Sequence, residues 1–281
     1  MTAPPLPAST AIAPVPLAPV PPGSVQPGTV PTPVLQSEDL TIRFGGHAAV
    51  DRVTCGFEPG TLTAIVGPNG AGKTTYFNLL SGQLRATAGR VLLEGEDITR
   101  LGASTRARRG LGRAFQLTNL FPNLSVQENV RLAVQATAGR GHDLWSIWSS
   151  NRSLVEEADR ILSEVALEHR RKMLAAELPH GDQRKLEVAI LLALRPKVFM
   201  FDEPTAGMSA DEAPVILALI ARIKQQRNKT VILVEHKLDV VRSLADRIIV
   251  LHQGQLVADG EPADVMASQV VREAYLGGAG A

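Results

Sequence analysis

The sequence predicts an α/β fold: a mostly parallel sheet with helices on its faces. Three observations carry that prediction. Short apolar, partly β-branched runs alternate with helical stretches, as in a parallel sheet covered on both sides. One such run, Thr61 to Val66, leads through the glycine-rich segment Gly67-Pro68-Asn69-Gly70-Ala71-Gly72-Lys73-Thr74-Thr75 into a helical start at Thr75–Leu80. Another, Val198-Phe199-Met200-Phe201, ends in two acids, Asp202 and Glu203.

In chain order, residues 1–37 carry no charge and hold 11 of the 19 prolines, a spacing that breaks any helix repeatedly. A membrane span is therefore not expected there, and no basic region precedes an apolar core as in a secretory signal. Residues 1–34 read as a disordered or polyproline II tail. Ordered structure is expected from Leu35, with strands at Leu40–Phe44, Val53–Phe57, Thr61–Val66 and Arg90–Leu93, and a turn at Gly45-Gly46. From about Leu101 to Glu177 the chain reads as mostly helical, with apolar residues at helical spacing over Asn151–Leu167. That defines an inserted helical subdomain at about 102–177 within an ordered region of 35–281. Strands return at Val198–Phe201, Thr230–Val234, Arg247–Leu251 and Gln255–Ala258.

The totals exclude some classes. A chain of 281 residues with 44% hydrophobic content builds one large domain or two modest ones. A net charge of +1 supplies no basic field for nucleic acid. The single cysteine, Cys55, permits no internal disulfide, suits a reducing compartment and reads as a small core residue. Arg106, Arg108, Arg109 and Arg113 read as a solvated helix face.

The segment Gly67–Thr75 fits G-x-x-x-x-G-K-[ST], a phosphate-binding loop, and lies between a strand and a helix as that loop must. Its glycines let backbone N–H groups approach phosphates closely. Lys73 is placed to reach the β- and γ-phosphates, and the Thr74 hydroxyl to ligate Mg²⁺. Asp202, at the end of a core strand, suits Mg²⁺ held through water. Glu203 then orients or deprotonates the attacking water.

With these motifs in their observed order, the chain resembles the ATP-binding subunits of ABC transporters over residues 36–281. Phe44 falls at an adenine-stacking position, although a core role is the plain alternative. Residues 67–75 match Walker A, and residues 198–203 match Walker B with its catalytic acid. Gln116, in Arg113-Ala114-Phe115-Gln116, matches the Q-loop, which touches Mg²⁺ or water. Ala206-Gly207-Met208-Ser209 falls at the D-loop, and His236 matches the switch histidine facing the γ-phosphate. Leu178-Pro179-His180-Gly181-Asp182-Gln183-Arg184 occupies the signature, but departs from Leu-Ser-Gly-Gly-Gln at Pro179, His180 and Asp182. The resemblance implies phosphate contact by His180, Gly181 and Asp182 through backbone donors at a helix start. It also implies an antiparallel β subdomain beside the parallel core, ATP and Mg²⁺ as ligands, and a head-to-tail dimer with itself or a paralogue.

Finer features resemble the ATPases of branched-chain amino acid importers. They include Gly112–Phe121, His180–Ala189, Glu203–Met208, Val271–Gly277 and the helical region holding Trp145 and Trp148. Urea or short-amide importers and the lipopolysaccharide-export ATPase share much of the pattern. The implied partners are two transmembrane permeases and, indirectly, a solute-binding protein, at the cytoplasmic face of the inner membrane. Trp145 and Trp148 share a helical face that suits either a partner or internal packing. A permease groove is expected near Gln116–Val130, with Phe121 as an anchor. A soluble ABC ATPase acting on ribosomes or DNA is disfavoured by the single cassette and the near-neutral charge.

Overall fold

The structure, a computed structural model, describes residues 32–114, 120–138, 152–226 and 228–276. Two strands open the chain, β1 (Leu35–Phe44) and β2 (His47–Phe57), joined at Gly45-Gly46 as expected. β3 (Leu62–Val66), the glycine-rich loop and α1 (Lys73–Ser81) follow. Then come β4 (Ala88–Leu93), β5 (Glu96–Asp97), α2 (Ala103–Arg108) and β6 (Leu111–Ala114). The next helices are α3 (Val126–Thr137), α4 (Arg152–Glu164) and α5 (His180–Ala193). β7 (Val198–Asp202), α6 (Ala213–Gln225), β8 (Thr230–Val234) and α7 (Leu238–Leu244) alternate after them. β9 (Arg247–His252), β10 (Gln255–Gly260), α8 (Pro262–Ala267) and α9 (Gln269–Leu276) complete the described chain.

These strands form two sheets. β2-β1-β4-β5 is antiparallel, and β10-β9-β3-β8-β7-β6 is parallel except for β10. β3, β7 and β8 are buried along their whole length, which is why they read as continuous apolar runs. Side chains still alternate between faces. Phe199, Phe201, Val231 and Leu233 enter the core built with α3 to α6. Val198, Met200, Ile232 and Val234 enter the core shared with α1 and the antiparallel sheet. The parallel sheet is thus covered on both faces. α3 starts at a capping box: the Ser125 hydroxyl accepts from Glu128 N–H at 3.1 Å, and Ser125 N–H donates to the Glu128 carboxylate at 3.0 Å.

Two sequence expectations change. The run expected to be mostly helical opens with α2 and β6, and β6 is the edge strand of the parallel sheet, paired to β7. Its Leu-Gly-Arg-Ala sequence carries no strand signature, so tertiary pairing decides its state. The basic run is not one solvated face. Arg106 is 1% exposed. Its guanidinium donates to the carbonyls of Leu79 (2.7 Å), Leu80 (2.6 Å), Thr99 (2.9 Å) and Leu101 (2.9 Å). It therefore caps the carbonyl end of α1, where, among the described residues, Leu79 C=O otherwise accepts only from Gly82 N–H at 3.3 Å. Burial lowers its pKa to about 10, which leaves it charged at neutral pH. Arg113 is also mostly buried, as described below.

Candidate functional site

Because β8 lies between β3 and β7, the segments that leave the carboxyl ends of all three strands meet. These segments are the glycine-rich loop, Glu203 with the loop after it, and the Glu235-His236 turn. Open α/β sheets bind ligands at such strand ends.

The glycine-rich loop is held against its neighbours. A Cβ on Gly67 (φ +149°) would lie 2.1 Å from the Leu251 carbonyl oxygen, so only glycine fits there. Ala71 C=O accepts from Gly254 N–H at 3.0 Å. Pro68 is half-buried, Asn69 and Gly70 are exposed, and Ala71 is buried. Gly72 is the N-cap of α1, with Thr74 exposed and Thr75 half-buried in its first turn. Lys73 is buried, and its Nζ donates to the carbonyls of Gly67 (2.8 Å) and Pro68 (2.9 Å). Burial lowers the Lys73 pKa, while Glu203 and Asp202 nearby raise it. The three groups therefore share one electrostatic neighbourhood.

Asp202 is buried at the end of β7, and burial raises its pKa. Its Oδ2 lies 3.1 Å from Arg113 Nη2, which opposes that shift. Arg113 lies 4.7 Å over the Phe77 ring, and its Nη1 donates to Asn78 Oδ1 and Ser81 Oγ, both at 2.7 Å. The cation read as solvated is thus the counter-ion of the Walker B aspartate. Its signal in the sequence is its position three residues before Gln116, in a short segment leading to the Q-loop.

Glu203 has φ +47°, a left-handed conformation that is uncommon for a side chain of this size. Its N–H donates to Val234 C=O at 2.9 Å, tying the turn to β8. His236 follows β8 with its side chain about half exposed. Phe44, at the end of β1, is 53% exposed, which removes the core alternative and leaves its ring available for stacking. Gln116, Trp145 and Trp148 lie outside the described residues.

The signature residues are not part of this cluster. Pro179 is the N-cap of α5, and His180, Gly181 and Asp182 form its first turn. His180 is exposed. A Cβ on Gly181 would lie 2.2 Å from Glu212 Oε1, so this glycine makes room for that acid. The Asp182 carboxylate bonds Arg170 Nε at 3.0 Å and Lys185 Nζ at 2.8 Å. Its oxygens are thus engaged by cations of the same chain.

Glu235 is not singled out by the sequence, although it follows an apolar strand as Asp202 ends one. It is fully buried and bonded to Thr205 and to the backbone of His236 and Lys237.

Comparison with known proteins places the arrangement. Residues 50–206 match the ABC transporter family, and residues 255–281 match the family of branched-chain amino acid ATP-binding cassette transporters. The chain is 38% identical to the high-affinity branched-chain amino acid transport ATP-binding protein BraF of Pseudomonas aeruginosa, covering 87% of this chain and 98% of that one. It is 36% identical to LivG of Escherichia coli, which carries the same functional description, with the same coverage. An ATP-binding cassette of an ABC transporter solved in its ADP conformation superposes with a TM-score of 0.74 at 30% identity, over 87% of this chain and 98% of that one. The chain belongs to the ABC transporter family as an ATP-hydrolysing, ATP-binding subunit.

Proposed function

We propose that this chain energises an importer of branched-chain or other hydrophobic amino acids, from the cytoplasmic face of the inner membrane. The observation that carries the chemical part is the meeting of Lys73, Asp202, Glu203 and His236 at the ends of three adjacent strands. The amino-acid assignment rests on the printed function of BraF and LivG. Among the described residues no helix is long and apolar enough to cross a membrane, and transmembrane partners would supply the path.

ATP would lie with its phosphates on residues 67–75 and its adenine on Phe44. Lys73 would exchange its two loop carbonyls for phosphate oxygens. Glu203 would accept the proton of the attacking water, and His236 would donate to the γ-phosphate. Mg²⁺ suits the donor set. Thr74 offers a hydroxyl and Asp202 a carboxylate, and among the described residues no cluster of three metal-ligating side chains competes. That is how Mg²⁺ is bound when phosphates and water fill its remaining positions. When bound, the ion neutralises charge developing on the phosphates. Gln116 is assigned to the same ion from the sequence.

The first turn of α5 would act on the nucleotide of a second subunit, completing a head-to-tail dimer. Its donors would be the backbone N–H groups of His180 and Gly181; the Asp182 N–H expected to join them instead donates to Pro179 C=O at 3.0 Å. For the permeases, a groove of about 390 Å³ runs between α2, β6 and α5. It is lined by Ala103, Ala107, Leu111, Leu120, Ile190 and Leu194, with Glu187 as its acid. Glu187 is buried; its Oε2 pairs with Arg184 at 3.0 Å, and its Oε1 has no hydrogen-bond partner among the described residues. A short amphipathic helix bearing one donor would fit. Phe121, 56% exposed, stands nearby on a turn fixed by Asn129, whose side chain bonds Phe121 N–H (2.8 Å) and C=O (3.1 Å).

The test is ATP-driven uptake in right-side-out native membrane vesicles carrying this chain or its Lys73→Ala variant. Leucine, isoleucine and valine uptake lost in the variant is the expected result; loss of urea uptake alone would move the substrate to the short amides. Phe121→Ala should weaken recovery of the permeases by about 1 kcal/mol or more with ATP binding unchanged. Equal loss of both would remove its docking role.

A further inference from the structure

Glu235 is a buried carboxylate to which the hydrolytic scheme gives no part. It is 0% exposed; among the described residues no lysine or arginine side chain is bonded to it, and the nearest basic group is the His236 imidazole, whose Nδ1 lies 3.8 Å from Oε2. Burial of an acid without a hydrogen-bonded lysine or arginine is costly unless other donors compensate. Three donors do so. Thr205 Oγ1 donates to Oε1 at 2.8 Å, while His236 N–H and Lys237 N–H donate to Oε2 at 3.0 Å and 3.3 Å. Each oxygen thus holds a different loop. Thr205 lies two residues after Glu203, and His236 and Lys237 follow β8.

A second tie runs alongside. Glu203 N–H donates to Val234 C=O at 2.9 Å, and Glu203 itself has φ +47°. A strained backbone persists only when its surroundings over-determine it. The residues on either side of Glu235 and its side chain supply those surroundings.

We propose that Glu235 is a positioning residue, a strut that fixes the loop after the general base to the loop bearing the phosphate-sensing histidine. Through it, Glu203 and His236 keep one relative geometry, and a displacement of either loop is passed to the other. The segment beyond Thr205, Ala206 to Ser209, lies at the D-loop, so the strut also links the nucleotide's γ-phosphate side to that loop. This rests on the reading of Glu203 and His236 given above.

The strut works by hydrogen bonding, which separates its variants. A glutamine in place of Glu235 would keep one oxygen for the two N–H groups, and its amide would donate to a reversed Thr205 hydroxyl. In the full-length chain, Glu235→Ala should lower kcat on the order of 10- to 100-fold, as small misplacements of catalytic groups do. KM for ATP should stay within about 3-fold, since the phosphate loop is untouched. Glu235→Gln should restore kcat to within about 3-fold of wild type. Thr205→Val should reproduce the loss, and adding Glu235→Gln to it should give no rescue. Wild-type kcat in both Glu235→Ala and Thr205→Val would overturn the strut. So would a Glu235→Gln variant as impaired as Glu235→Ala. His236→Ala is measured beside them: full turnover there overturns the reading of His236 itself, whereas full turnover of Glu235→Ala beside an inactive His236→Ala removes only the strut.

Discussion

At the ends of β3, β7 and β8 the charged groups are knitted to their own chain: Lys73 to two loop carbonyls, Asp202 to Arg113, and Glu235 to two loops. At the start of α5 the pattern differs. His180 is exposed, and the acid of the first turn, Asp182, is engaged by Arg170 and Lys185. The strand ends form a site assembled within one chain before any ligand arrives. The signature turn is an offering, a helix start with its backbone donors. A bare acid there would repel phosphate, and the two cations cancel its charge while the helix keeps its positive end. This pairing is a physical reason why a signature can lack the usual serine and glutamine.

The largest effect expected comes from Arg106, which holds the far end of α1, the helix that begins at the glycine-rich loop. Arg106→Met removes four hydrogen bonds and strands the end of α1. It should lower stability by about 3 kcal/mol or more, read as a fall in denaturant midpoint. Arg108→Met, on an exposed side chain, should change it by about 0.5 kcal/mol or less. Equal effects would return the run to a solvated face.

Next is Arg113→Met, which leaves Asp202 buried without its cation. Mn²⁺ affinity in the presence of ATP, read by electron paramagnetic resonance, should fall about 10-fold, the usual cost of losing an outer partner of a metal ligand. Arg113→Lys should recover part of it.

On the signature side, Arg170→Ala leaves Asp182 with Lys185 alone. Turnover should fall by a few-fold, about 0.5–1 kcal/mol, with ATP affinity unchanged. A matched fall in ATP affinity would place Asp182 in the wrong half of the site. The smallest effect lies outside both halves. Hydrogen bonds from Arg160, then Arg195, lower the Glu157 pKa to about 2. The folded pKa is depressed, so the contribution is complete above the usual 4.5 and is lost as pH falls from there towards 2. Glu157→Gln should cost about 0.5 kcal/mol at pH 7, and less as the pH drops through that window.

The sequence reveals those parts whose residues speak for themselves. β3, β7 and β8 are dense apolar runs because both faces of the sheet are covered, and the glycine loop needs its residue types in order. β6 stayed hidden because four residues with a glycine and an arginine form a strand only by pairing with β7. Arg106, Arg113 and Glu235 stayed hidden for another reason. Their partners lie far along the chain: 27 residues from Arg106 to Leu79, 89 from Arg113 to Asp202 and 30 from Glu235 to Thr205. A charge reads as surface until the fold supplies what neutralises it.

The central claim is that the carboxyl ends of β3, β7 and β8 perform the chemistry with Glu203 as the base. Glu203→Gln in the full-length chain tests it, with ATP affinity and steady-state hydrolysis measured on one preparation. Hydrolysis lowered on the order of 10²- to 10⁴-fold with ATP affinity retained is the predicted result. Unchanged hydrolysis would contradict it and send the search for the base elsewhere along these strand ends.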